Sequence, residues 1–173
     1  LLVQEQQSIL KADRHGGATR NHSAQISDKT TILFDNGIPS NSLIYARAKA
    51  IAKEAKSLVL VSQYCPTGML GRILKHKHAK LYFNHRRRAS SINKLIIQIG
   101  MLTAKQHTLY NHDRYLHAKF IIAEMPDGSK AAVAGSHNFM FGSGMMGTRE
   151  VAIETRDPQI ISQLENFRAQ NVE

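Results

Sequence analysis

An α/β fold, a layered sandwich with a mixed sheet and helices on both faces, is what this sequence predicts. Two observations carry that expectation. Short apolar runs, "TTILF", "SLVLVSQ", "YLHAKFIIAE", "KAAVAGS" and "REVAIET", are interspersed with longer stretches whose apolar residues recur at helical spacing. The chain has 173 residues, 42% hydrophobic and only 6% aromatic, enough to close one core and globular rather than disordered or fibrous in composition.

The elements follow in order. Residues 1–10 read as a helix with Leu2, Val3, Ile9 and Leu10 as its apolar positions, and Lys11 to Lys29 has no periodicity and reads as an exposed loop or linker. Because "LLVQEQ" opens without a methionine, the chain is expected to be a fragment or processed product. Residues 1–29 would then end a preceding lobe and residues 30–173 would form the lobe itself. "TTILF" is a strand, and "NSLIYARAKAIAKEAK" is a helix with Ile44, Ala48, Ile51, Ala52 and Ala55 on one face behind a Ser40 or Ser42 cap. "SLVLVSQ" is a central buried strand ended by "CPTG". A short helix around Met69 to Leu74 and a strand "AKLYFN" come next. "SSINKLIIQIGMLTA" places Ile92, Leu95, Ile96, Ile99 and Leu102 at helical spacing, and "HTLY" reads as a short strand. Three further strands follow, the second reached through the turn "MPDGS". The last helix starts at Asp157 with Pro158 in its first turn, and Ile160, Ile161, Leu164 and Phe167 form its core stripe.

Charge bounds the partners. A formal net charge of +10 and a pI near 9.9 attract polyanions: nucleic acid, an anionic membrane surface or a phosphorylated substrate. Cys65 is the single cysteine, so neither an intrachain disulfide nor a cysteine-rich zinc site is possible. No stretch approaches the roughly 20 apolar residues of a membrane span and no signal-peptide pattern is present, so a cytoplasmic setting with peripheral membrane docking is expected.

The chemistry concentrates in "YLHAKFIIAE". In a strand His117, Lys119, Ile121 and Ala123 share one face, which puts imidazole and ammonium roughly 6 to 7 Å apart. One reading is a frayed strand start in water. The other gains support downstream: in "GSHNF", Gly135 permits close backbone approach, while Ser136 and Asn138 offer a hydroxyl and an amide to an oxyanion. Glu150 opens another strand with a carboxylate that can fix an imidazole tautomer. A histidine can attack phosphorus while lysine and asparagine offset charge on the non-bridging oxygens, a scheme that requires no metal or other cofactor. It does require an acid for the leaving alcohol, and the chain carries no second copy of the motif.

His117, Lys119, "GSHN" and Glu150 together resemble the phospholipase D superfamily, with its H-x-K motif, G-S-x-N segment and following glutamate. The similarity runs from Thr30 to the end. "AIAKEAKSLVLVSQYCP" and "MGTREVAIET" look like the carboxyl half of bacterial cardiolipin synthase and phospholipase D-like proteins. The resemblance implies phosphodiester hydrolysis or phosphatidyl transfer through a phosphohistidine, with phospholipid as the expected substrate and two motifs facing each other. His117, Lys119, Asn138 and Glu150 would be catalytic, and Ser136 and Gly135 would bind substrate. The second motif would come from a missing N-terminal lobe or from a homodimer mate. Where the family has an aspartate in its longer H-x-K pattern this chain has Glu124, which strand parity turns away from His117 and marks as structural. Two rival readings are a single-motif nuclease dimer and a non-catalytic anion-binding lobe.

Other features have competing explanations. The basic segment Lys75 to Arg88, with Lys77, Lys80, Arg86 and Arg87, suits nucleic acid, an anionic bilayer or a solvated rim. His76, His78 and His85 read as exposed rather than as metal ligands. Tyr64 and Cys65 line a pocket or pack in the core, "MFGSGMMG" is a lid, a lipid contact or a packed loop, and His137 points away from the site.

Overall fold

The computed structural model describes residues 20–38, 41–85, 107–140 and 148–173, together with Val3, Gln4 and Gln7, which are helical. Among the described residues seven strands form one sheet: β1 (His22–Ser27), β2 (Thr30–Asp35), β3 (Ser57–Val61), β4 (His78–Tyr82), β5 (Phe120–Glu124), β6 (Lys130–Gly135) and β7 (Glu150–Thr155). Their order is β1-β2-β7-β6-β5-β3-β4. Among these strands the β3–β4 pair is parallel and the other pairs are antiparallel, so the sheet is mixed. That pair needs a crossover, which helix α2 (Gly68–Lys75) provides.

Alternation along each strand builds two cores. Leu58, Leu60, Ile121, Ala123, Ala131 and Val133 face α1 (Leu43–Glu54) and α2, meeting Ile44, Ala48, Ile51, Ala52, Leu70 and Leu74. Val59, Val61, Phe120, Ile122 and Ala132 face α3 (Pro158–Asn171), meeting Ile161, Leu164 and Val172. The expected sandwich with helices on both faces is therefore what the chain forms. Both helix caps that the sequence indicates are made: Ser42 Oγ accepts from Tyr45 N at 2.9 Å, and Asp157 Oδ1 accepts from Gln159 N at 2.8 Å. Phe83 packs in the first core and Tyr82 in the second, as strand alternation predicts.

Four expectations are corrected. Residues 22–27 are not linker: they form edge strand β1, antiparallel to β2, with an irregularity between Gln25 and Ser27. "HSAQIS" buries only Ala24, because an edge strand with one covered face needs little apolar alternation. "HTLY" is not a strand, although Leu109 N donates to Leu81 O at 2.8 Å beside β4. Strand β5 begins at Phe120 rather than Tyr115, so His117 and Lys119 lie on the segment leading into it. In α3, Phe167 is 41% exposed and meets Phe120 edge-on instead of joining the core. The expected helix over 91–104, Arg86 to Arg88 and the segment 141–147 lie outside the described residues.

Candidate active site

One edge of the sheet collects the polar chemistry. β2, β3, β4 and β6 end there while β5 and β7 begin there, so residues just beyond those ends become neighbours. Asp35 pairs with Glu150 in the β2–β7 ladder, and Gly135 with Ala152 in the β6–β7 ladder. Gly135 N donates to Lys119 O at 3.1 Å, which carries the β5–β6 pairing beyond the end of β5.

Lys119 is 7% exposed. Its ammonium donates to the carbonyl of His117 at 2.6 Å, burial lowers its pKa, and the nearby Glu150 carboxylate partly opposes that shift. A buried lysine beside a carboxylate is a fixed cation rather than a solvated chain. His117 is exposed, and among the described residues no hydrogen bond holds its ring. The edge therefore pairs an accessible imidazole with an immobilised positive charge.

The "GSHN" residues divide their work. A Cβ on Gly135 would stand 2.2 Å from Val151 O and 2.5 Å from Ala152 Cα, so only glycine fits this approach of β6 to β7. Ser136 Oγ donates to the Glu150 carboxylate and accepts from Val151 N at 3.0 Å. The hydroxyl expected to meet substrate is thus committed to Glu150, because Ser136 lies directly opposite the start of β7. Asn138 O accepts from Ser62 Oγ at 2.9 Å, and its buried side-chain Oδ1 has no hydrogen-bond partner among the described residues. An unsatisfied amide oxygen costs on the order of 1–3 kcal/mol, which identifies Asn138 as a place where stability has yielded to another demand.

His137 points away from this edge, as expected, and is 1% exposed against Tyr45 and Phe139. Burial pulls its pKa down to about 4, with the Asp35 carboxylate opposing. The unfolded histidine protonates near pH 6.5 and the folded one only near 4, so this contribution is full above about 6.5 and is lost as pH falls toward 4. A shift of that size corresponds to about 3 kcal/mol. Urea midpoints at pH 7 and pH 4.5 should therefore differ more in the wild type than in His137→Gln; equal differences would show that His137 contributes nothing to acid sensitivity.

Several residues at this edge carried no functional reading in the sequence. Asn84 is fully buried; its amide donates to Gln63 O at 2.9 Å and Leu116 O at 2.7 Å, and its Oδ1 accepts from Leu116 N at 2.8 Å. It thereby pins the backbone immediately before His117. Gln63 Nε2 donates to the hydroxyls of Tyr64 at 2.8 Å and Tyr115 at 3.1 Å. A usable signal existed: a polar residue directly after a strand predicted to end at the same edge.

Other candidates take structural places. Glu124 is at the far end of β5, where it accepts from Ser57 Oγ at 3.0 Å and lies 3.9 Å from Lys56 Nζ. Cys65 is buried and its thiol is pushed up to about 12 by burial, which leaves it unreactive. Within the basic segment, Lys77 donates to Lys53 O at 3.0 Å and Ala55 O at 2.7 Å, closing the end of α1, and Lys80 stands 4.0 Å from Glu173. The Lys77 ammonium is thus engaged within the fold, while the Lys80 side chain stays largely exposed. Among the described residues no group of three or more His, Cys, Asp or Glu is placed to hold a metal ion, and no helix is long and apolar enough to cross a membrane.

No protein-family model matches the chain, and neither does any curated protein. Solved structures do. A phospholipase D family member, Nuc from Salmonella typhimurium, superposes with a TM-score of 0.56 at 15% identity over 81% of this chain and 91% of Nuc. The fold is that of the phospholipase D family. Phosphatidylserine synthase from Haemophilus influenzae superposes with a TM-score of 0.52 at 11% identity over 94% of this chain, which spans 40% of that enzyme. At these identities what is shared is the phospholipase D fold, and function must be argued from the site.

Proposed function

We propose that this chain supplies one half of a phosphodiester-processing site of the phospholipase D kind, acting in phospholipid hydrolysis or phosphatidyl transfer. The observation that supports it best is the convergence at one sheet edge of accessible His117, buried Lys119, Asn138 and the Ser136–Glu150 pair. A His117 ring nitrogen attacks phosphorus, and the bond from phosphorus to the leaving alcohol oxygen breaks as the phosphohistidine forms. The departing oxygen takes its proton from an acid on the facing motif, and water or a second alcohol then displaces the histidine. Lys119 and the Asn138 amide stabilise the non-bridging oxygens, and Glu150 balances the imidazolium and Lys119. The facing motif comes from a further lobe of the same protein or from a second copy of the chain.

A second reading, a homodimeric nuclease using the same residues, has the net charge of +10 in its favour. Turnover of a labelled phospholipid and of DNA, each with chelator present, together with sedimentation mass, separates the two. Phospholipid turnover alone supports the first reading, and DNA cleavage by a dimer supports the second. Inactivity on both by an assembly holding two facing motifs overturns both.

A further inference from the structure

The buried side of "GSHN" is built as carefully as its exposed side. Phe139 N donates to His137 Nδ1 at 2.8 Å, so Nδ1 carries no proton and Nε2 does. Nε2 faces Ser42 Oγ at 3.3 Å, and that hydroxyl donates to the Asp35 carboxylate. Asp35 in turn accepts from Leu43 N at 2.7 Å and Ile44 N at 3.2 Å, which anchors it to the start of α1. The relay therefore runs in one direction, from His137 through Ser42 to a carboxylate fixed by a helix terminus. Asp35 is the charged group facing the ring, and Tyr45 and Phe139 flank it.

The turn that this relay holds is unusual. Phe139 has φ of +53°, a left-handed conformation that a bulky residue adopts only when its surroundings compel it. Its side chain is buried in the core, its amide is held by His137, and the preceding carbonyl is held by Ser62. Between those two clamps sits Asn138. We propose that His137, anchored through Ser42 to Asp35, is the positioning residue that sets the turn on which the Asn138 amide meets the phosphate. The catalytic part of this inference rests on the phosphodiester reading above; the geometric part does not.

The test uses His137→Leu, which removes both ring bonds, and His137→Asn, whose Oδ1 can replace Nδ1 as acceptor from Phe139 N. Amide hydrogen exchange at Phe139 and the side-chain amide resonances of Asn138 give readouts free of activity. Protection at Phe139 is expected to be lost in His137→Leu and kept in His137→Asn, with the Asn138 resonances moving only in the former. In the assembled enzyme, kcat should fall about 10- to 100-fold in His137→Leu with KM little changed, and recover in His137→Asn. Unchanged Phe139 protection and Asn138 resonances in His137→Leu overturn the proposal whatever the activity. Altered resonances with undiminished kcat overturn its catalytic part. A wild type inactive on every phosphodiester defeats the functional reading alone, while the amide data still decide whether His137 sets the turn.

Discussion

His117→Ala is expected to abolish phosphodiester turnover while leaving the fold intact. The ring is exposed and no hydrogen bond among the described residues holds it, so its removal opens no cavity and orphans no partner. Stability should stay within about 0.5 kcal/mol of wild type. Activity should fall on the order of 10³-fold or more, because a nucleophile that forms a covalent intermediate has no substitute at this edge. The measurement is labelled-phosphodiester turnover with an urea melt of the same preparation. Residual activity within tenfold of wild type in a folded variant would remove His117 from the mechanism.

Gly135→Ala carries the largest expected effect on stability. The added methyl would meet Val151 O at 2.2 Å and Ala152 Cα at 2.5 Å, both backbone atoms in a paired strand, so no side chain can swing aside. β6 and β7 would have to part, and overpacking of this kind costs about 3 kcal/mol or more. For a chain of this size that is a fall in Tm of about 6–12 °C. The same displacement would pull Ser136 from Glu150, so activity should drop further than the loss of folded protein explains. A loss below about 1 kcal/mol would mean that the two strands accommodate a side chain here.

Much of the site was legible because it is written in local spacing. The alternation in "YLHAKFIIAE" places Phe120 and Ile122 in one core and Ile121 and Ala123 in the other, and Glu124, expected on structural grounds to stand apart from His117, closes the far end of β5 beside Ser57. Gly135 could be read as a point of close approach, though not what it approaches. β1 could not be read at all: "HSAQIS" has no pattern because pairing with β2, rather than its own burial, makes it a strand. The place of Lys77 could not be read for a related reason, since its ammonium answers to the end of α1, which is far from it in sequence.

By itself the sequence determined the mixed α/β layering, the two faces of β5 and which residues are candidates for the chemistry, because these depend on side-chain type and a short repeat along the chain. Only the tertiary structure decided their company: Asp35 opposite Glu150, Ser136 bound to that glutamate, and His137 joined across 95 residues to Ser42 and through it to Asp35. Those partnerships arise from strand order and register, which the burial of two whole cores selects at once.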